Sequence, residues 1–349
     1  MDSVVTASTD LLMASPFTEG KTLLVAIPCL NEAETIAKVI GQIPTSIVGI
    51  GRIDILVVDD GSTDDTAEKA RLAGAMVHSH GVNRGVGAAF QSAVVFAVDH
   101  SYDVMINIDG DGQFDPQDIH KLVPPVLEGK ADMVTASRFK DRDLTPDMPR
   151  VKLMGNHMMS WLISRLVRKK FADVSCGFRC YGREALLQIN LHGAFTYTQE
   201  TFLDFAAKNI RIMEVPVIVR YFGDRKSRVA SSILKYAMNT ATIIFRSYRD
   251  YFPLRFFLGI ALAFAVPSLA FGALFAGRFL LTGEFKGYYF AGSLSAFLMI
   301  LAMLFVMVGI VADMLDKVRC NQDRILYLLR KQGSLARRQD PPKSAPSID

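Results

Sequence analysis

Residues 104–113 read Val-Met-Ile-Asn-Ile-Asp-Gly-Asp-Gly-Gln. An apolar run is followed at once by two carboxylates separated by one glycine. A run that turns polar only at its C-terminal end predicts a strand buried on both faces of a sheet. Asp109 and Asp111 then leave the strand end into one crevice, and Gln113 adds an amide oxygen two residues on. This hard, oxygen-rich set suits Mg²⁺ or Mn²⁺ held by one or two carboxylates together with phosphate oxygens. The glycines, Gly110 among them, let a phosphate come close to the backbone.

The same pattern extends outward. Apolar runs at 23–27, 53–58, 133–136 and 215–219 predict further strands, and the first two end in Pro28-Cys-Leu-Asn31-Glu32 and Asp59-Asp60-Gly61-Ser62. Helical patterns at 34–42, 64–73, 85–99 and 117–128 lie between them. The βαβα order predicts an α/β domain with a mostly parallel sheet, whose ligands bind beyond the carboxyl ends of the strands. Asp115-Pro116-Gln117-Asp118 has the form of a helix start, and Ser62, Thr63 and Asp64 offer caps for the second helix. An Asp at such a strand end can accept from the ring N–H of uracil or guanine. Asn83-Arg84-Gly85-Val-Gly87 opens a helix, but it comes too late and lacks the third glycine of a dinucleotide fingerprint.

Composition places this domain on a membrane. Of 349 residues 50% are hydrophobic and 21% charged, with a net charge of +4, and the mean hydropathy is +0.24. A disordered chain would be poor in hydrophobics, and so mild a charge gives no nucleic-acid footprint. Residues 256–277 and 288–312 carry no charge, and each run is long enough for a membrane-spanning helix. Basic residues flank the pair on the outside, from Lys235 to Arg255 and from Lys317 to Arg338. The positive-inside rule then puts both termini and the large domain in the cytoplasm, in a multi-pass protein of the plasma (inner) membrane. Small residues such as Gly259 and Gly272 offer a means of homo-oligomer assembly. Residues 231–255 have the pattern of an amphipathic helix lying among membrane lipids. The expected divisions are a flexible leader (1–20), the α/β domain (21–230), the juxtamembrane helix (231–255), two spans (256–313) and a basic tail (314–349), solvated beyond Gly333. Cys29, Cys176, Cys180 and Cys320 form no metal-binding pattern and read as reduced thiols.

Taken in order, the motifs PCLNE, VDDGS, NRGVGAA, IDGDGQ, SRF and CGFR resemble glycosyltransferase family 2, in the branch of dolichol-phosphate mannose synthases and bacterial undecaprenyl-phosphate sugar transferases. The resemblance covers residues 21–228, with the two spans as an independent match. It implies a GT-A fold, an NDP-sugar donor with a UDP or GDP carrier, and a polyprenyl-phosphate acceptor. By that resemblance Pro28, Asn31, Glu32, Asp60, Arg84, Gly85, Asp109 and Gly110 hold the donor, and Asp109, Asp111 and Gln113 hold the metal. Arg138 and Arg150 meet phosphates, and Glu200 lies on the acceptor side. The family's Arg-x-x-Gly-x-Ser-Lys becomes Phe222-Gly-Asp-Arg225-Lys-Ser227-Arg228 here. Ser227 and Arg228 fit it, with Arg228 a further phosphate contact, while Phe222 and Arg225 depart from it.

A phosphate monoester is already a nucleophile at neutral pH, since its second pKa is near 6. The expected chemistry is therefore electrostatic, with inversion at the sugar and no indispensable base. Three other readings fit less well. A processive polysaccharide synthase wants more spans and a QxxRW motif. A nucleotidyltransferase gives no reason for the hairpin. A non-catalytic membrane adaptor gives no reason for an intact Asp109, Asp111 and Gln113.

Overall fold

The structure is a computed structural model. It describes residues 20–141, 143, 148, 150–191, 197–220, 242, 245, 246 and 248–339, excepting the side chains of 150–152, 338 and 339. In chain order the elements are β1 (Lys21–Cys29), α1 (Ile36–Gly41), β2 (Ile50–Asp59), α2 (Thr66–Leu72), β3 (Met76–Ser79), α3 (Val86–Asp99) and β4 (Val104–Asn107). A 3-10 turn (Pro116–Asp118) leads to α4 (Ile119–Leu122), α5 (Pro124–Leu127), β5 (Met133–Ser137), α6 (Arg150–Val167), β6 (Arg179–Gly182) and α7 (Arg183–Gln188). Then follow α8 (Tyr197–Ala207), β7 (Ile212–Pro216), α9 (Pro253–Thr282) and α10 (Tyr289–Gln339).

The seven strands form one sheet in the order β3-β2-β1-β4-β6-β5-β7. Only β6 runs antiparallel, between β4 and β5. The even members of β1, Leu24 and Ala26, pack with α3, α6, α7 and α8, while Leu23, Val25, Ile27 and Cys29 pack with α1 and α4. Two buried layers explain why β1 and β4 read as unbroken apolar runs. In register, Cys29 lies opposite Asp59 and Ala26 opposite Asn107, so the loops after β1, β2 and β4 emerge on one edge.

Several boundaries differ from the sequence reading. The helix expected over 117–128 is a 3-10 turn and two short helices, because Pro124 and Pro125 bring no N–H to a continuous ladder. The last strand lies at Ile212–Pro216, upstream of the expected 215–219. β3 and β6, four residues each, carry too little periodicity to stand out. Asp115 does accept from the Gln117 N–H as a cap. At α2 the N-cap position is Asp65, while Asp64 accepts from the Thr66 N–H.

The two apolar helices are 30 and 51 residues long. In each, only 11% of the most apolar window is buried, so neither is the core helix of a globule. The hairpin is clamped by reciprocal bonds: Ser268 Oγ donates to the Ser295 carbonyl and Ser295 Oγ to the Ser268 carbonyl, both at 2.8 Å. Gly272 faces Ser295 inside the hairpin, where a Cβ would come within 2.9 Å of its Oγ. It thus serves packing within the hairpin.

α10 does not stop at the span. It continues as one helix to Gln339, about 77 Å at 1.5 Å per residue, where a loose tail beyond Gly333 was expected. The reason is that one face docks along the α/β domain. Arg319 lies over the Tyr251 ring at 5.1 Å. Asp323 accepts from Asn190 Nδ2 at 2.5 Å and lies 3.6 Å from Lys208. Arg330 donates to the Ile189 carbonyl at 2.7 Å, and Arg337 to the Asp99 carbonyl at 2.6 Å. Asp323, Arg330 and Arg337 recur every seven residues, two turns apart on one side. Most of the residues expected to form the juxtamembrane helix lie outside the described residues, although 248–250 are helical.

Candidate active site

The crevice is built from loops tied to one another. After β1, Asn31 takes a left-handed conformation (φ 54°), which Asn tolerates better than most residues. Its N–H donates to Ser62 Oγ at 2.9 Å, and its Oδ1 accepts from the Thr63 N–H at 2.8 Å. The Glu32 N–H donates to Thr66 Oγ1 at 2.8 Å. Asn31 is therefore committed to joining the β1 and β2 loops. Pro28 is buried in β1, and its residue pair is Val58.

Asp60 is 4% exposed. Its Oδ1 accepts from the Arg84 N–H at 2.9 Å and its Oδ2 from the Gly85 N–H at 2.8 Å. His80 Nδ1 lies 2.8 Å from Oδ1, and His80 Nε2 lies 2.9 Å from Ser92 Oγ on α3. A carboxylate that already accepts two N–H groups takes a third donor, so Nδ1 carries a proton toward Asp60, while Nε2 pairs with the Ser92 hydroxyl. This Asp60–His80–Ser92 chain fixes the glycine turn that opens α3. Gly61 sits under the same turn at φ +80°, where a Cβ would lie 2.5 Å from the Val82 carbonyl carbon. The sequence placed Asp60, Arg84 and Gly85 at the site. It gave no signal for His80 or Ser92, which meet Asp60 only when β2, β3 and α3 come together.

After β4, Asp109 and Asp111 emerge as expected, both partly exposed. Asp111 Oδ1 accepts from the Gln113 N–H at 3.0 Å. Thr35 Oγ1 donates to the Gly110 carbonyl at 2.8 Å, and a Cβ on Gly110 would lie 2.5 Å from Cys29 Sγ, so only glycine fits. Burial, and next the Asp111 carboxylate, push the Asp109 carboxyl up to about 7, against the pull of Arg138 and Arg179. Two carboxylates crowded at a strand end fit a divalent cation that would neutralise them. Among the described residues no cluster of three His, Cys, Asp or Glu is already set for a metal. A coordination shell here therefore needs Gln113 and oxygens from outside the protein.

The floor beneath Asp109 comes from the CGFR segment and α8. A Cβ on Gly177 would lie 3.0 Å and 3.1 Å from the two Asp109 oxygens and 3.1 Å from the Tyr197 hydroxyl. Asn107 Nδ2 donates to the Gly177 carbonyl at 3.0 Å. Arg179 is fully buried. It donates to the Cys176 and Val174 carbonyls and lies 4.9 Å over the Phe202 ring. Among the described residues it makes no ion pair, so its charge acts on Asp109 through a dry interior. The sequence reading named CGFR without giving its arginine a role.

Arg138 stands differently from its expected place on a phosphate. Its Nε and Nη2 bind Asp173 at 2.6 and 2.8 Å, and the pair is buried. Although burial alone would raise it, the Arg138 guanidinium holds the Asp173 carboxyl below the usual carboxylate range. The pair is neutral, so Arg138 is first a strut between β5 and the segment before β6. Glu200 lies in the first turn of α8 and, with Asp204, adds negative potential at Tyr251, where the domain meets α10. Arg150 opens α6, and its side chain lies outside the described residues, as does all of Arg228.

Comparison with known proteins agrees with this geometry. Residues 24–189 match Glycosyl transferase family 2. An uncharacterized protein of Methanocaldococcus jannaschii is 32% identical over 59% of this chain and 84% of its own length. The polyprenol monophosphomannose synthase of Mycolicibacterium smegmatis is 29% identical, over 62% of this chain and 83% of its own. The undecaprenyl-phosphate 4-deoxy-4-formamido-L-arabinose transferase of Klebsiella pneumoniae is 31% identical, over 59% and 62%. Among solved structures, glucosyl-3-phosphoglycerate synthase of Mycobacterium tuberculosis superposes with a TM-score of 0.52 at 24% identity, covering 64% of this chain and 80% of that one. That likeness establishes the fold, GT-A with a mostly parallel sheet.

Proposed function

The chain belongs to glycosyl transferase family 2, and on that premise we propose that it transfers one sugar from an NDP-sugar to a polyprenyl phosphate held in the membrane. One observation carries the choice of acceptor. α10 joins the apolar hairpin to the domain that bears the acidic crevice, so the site is held beside a bilayer. The orientation is that of the positive-inside rule, with the domain and both termini in the cytoplasm.

The loops after β1 and β2 receive the base of the donor, a ring N–H meeting the acidic end of β2, and Arg84 and Gly85 line the same side. Asp109, Asp111 and Gln113 would hold Mg²⁺ or Mn²⁺, which when bound stabilises the departing diphosphate as a Lewis acid. An acceptor phosphate oxygen forms the bond to the anomeric carbon, the bond from that carbon to the diphosphate breaks, and the configuration inverts. The nucleophile arrives ionised, so no side chain has to take a proton. Arg150 and Arg228 counter the acceptor charge, Glu200 borders the acceptor side, and Arg179 adds fixed positive potential below.

The test is transfer in liposomes containing undecaprenyl phosphate, with UDP- and GDP-sugars supplied separately, with and without EDTA. An EDTA-sensitive lipid-linked monosaccharide from one donor is the expected product. Nucleotide binding without any lipid product would remove the polyprenyl-phosphate assignment.

Substitutions at two positions probe the supports of the site. Gly177→Ala is expected to weaken Mn²⁺ binding about tenfold, the lower end of the effect of disturbing groups behind a metal ligand, with thermal unfolding nearly unchanged. Titration calorimetry reads this, and unaltered affinity would mean that Asp109 gives way freely. At position 80, Asn keeps a donor where Nδ1 stands, whereas Gln reaches only toward Ser92. Donor KM should therefore rise about tenfold in His80→Gln, the loss of one charge-assisted hydrogen bond, and stay near wild type in His80→Asn. Equal KM values in the two variants would remove His80 from the positioning of Asp60.

A further inference from the structure

Beyond the spans, α10 has two faces. Asp316, Asp323, Arg330 and Ser334 turn toward the α/β domain and are at least partly covered. Val318, Ile325, Leu328, Leu329 and Leu335 lie on the other side, and each is at least 52% exposed. Ile325 stands roughly 20 Å along the continuous helix past Ala312, where the uncharged run ends, so the last four lie beyond the hydrocarbon. A stripe of this kind on a water-facing helix marks an interface.

The stripe has a seven-residue repeat. Val311, Val318, Ile325 and Gln332 form one row, and Met314, Asn321, Leu328 and Leu335 form a second row three residues on. These are the a and d rows of a coiled-coil seam. The domain-facing row of Asp316, Asp323, Arg330 and Arg337 is the f row, diametrically opposite. Docking to the α/β domain and pairing with a second helix are therefore compatible.

We propose that this face pairs with the same face of a second copy of the chain, as a parallel two-stranded coiled coil on the aqueous side of the membrane. Two features select an identical partner. Asn321 and Gln332 interrupt the apolar rows, and in a parallel, in-register pair each meets its own copy, an amide that can both donate and accept. Polar residues at such positions fix register and partner number. The flanking charges select the direction. Lys317, Arg324 and Lys331 form the g row, and Leu315, Gln322 and Leu329 the e row. Parallel chains set g against the partner's e, so cations meet uncharged side chains; antiparallel chains set the cationic rows against each other. Two copies inserted the same way in one bilayer share a two-fold axis along its normal, which gives the parallel arrangement.

Full-length protein in nanodiscs or native membranes tests the pairing. In a Cys320→Ser background, Leu328→Cys is expected to form a disulfide-linked dimer in high yield on mild oxidation, since facing d residues lie close together. Cys320 of the wild type, an exposed thiol on the c row, is expected to stay largely unlinked. The double change Ile325→Lys and Leu328→Lys should halve the mass seen by light scattering or mass photometry and leave nucleotide binding within twofold. Three outcomes overturn the proposal: a wild-type protein of one-chain mass with unlinked Leu328→Cys, equal linking through Cys320, or linking between Val318→Cys and Leu328→Cys, the a-to-d pairing that marks antiparallel chains. The cross-linking result stands even if the lysine variant fails to fold. None of these readouts requires that the sugar acceptor be identified.

Discussion

Asp111→Ala is expected to lower sugar transfer by at least about 10³-fold, the scale of several kcal/mol that a bound cation contributes to a developing anionic charge. Membrane insertion and thermal unfolding should hardly change, because Asp111 is partly exposed and accepts from the Gln113 N–H within a local turn. Asp109→Ala should be equally inactive but less benign, since Asp109 packs on Gly177 beside the Tyr197 hydroxyl. The measurement is the initial rate of lipid-linked sugar formation over a Mn²⁺ series. Activity within tenfold of wild type for Asp111→Ala would end the assignment of a metal to this turn.

The second large effect concerns stability. Asp173→Ala leaves the Arg138 guanidinium buried without its bidentate partner and is expected to destabilise the α/β domain by about 3–5 kcal/mol. Asp173 also accepts from the Arg138 and Ser175 N–H groups, so its loss disturbs the loop before β6 as well. The sign with pH follows from its lowered pKa. The stabilisation is present above the ordinary carboxylate range and is lost as acid protonates Asp173 in the fold. Denaturant unfolding of Asp173→Ala, Arg138→Ala and the double variant gives the coupling. A coupling below about 1 kcal/mol is the value of a solvated pair and would contradict its burial. If Arg138→Ala instead raised acceptor KM with little loss of stability, Arg138 would return to the phosphate role first expected of it.

Where periodicity was strong, structure was legible in the sequence. β1, β4 and the C-terminal part of β2 are buried on both faces, and their apolar runs ended where the acidic loops begin. The apolar hairpin was equally plain, because two uncharged runs of that length stand out from the rest of the sequence. The acidic turn after β4 could be read because Asp109, Asp111 and Gln113 are neighbours in sequence. What could not be read depends on distant residues meeting. Arg138 finds Asp173 on the far side of α6, and His80 joins Asp60 to Ser92 across three elements. Single-residue chemistry sent Arg138 to a phosphate; the fold sends it to a carboxylate. The tail of α10 was missed for the same reason. Its charges, typical of a solvated end, are contacts to Asp99, Ile189 and Asn190.

With the hairpin placed in the membrane as proposed, the unbroken run of α10 from hairpin to domain makes angle and height a single variable. Each residue added between the span and Arg319 would raise the domain by 1.5 Å and turn its docking face by about 100°. One inserted residue thus swings Asp323, Arg330 and Arg337 away from their partners. Seven inserted residues nearly restore the angle, within about 20°, but lift the acidic crevice roughly 10 Å farther from the lipid surface. The linker therefore tolerates length changes only in steps, and each step alters how far a lipid head group must rise to be reached.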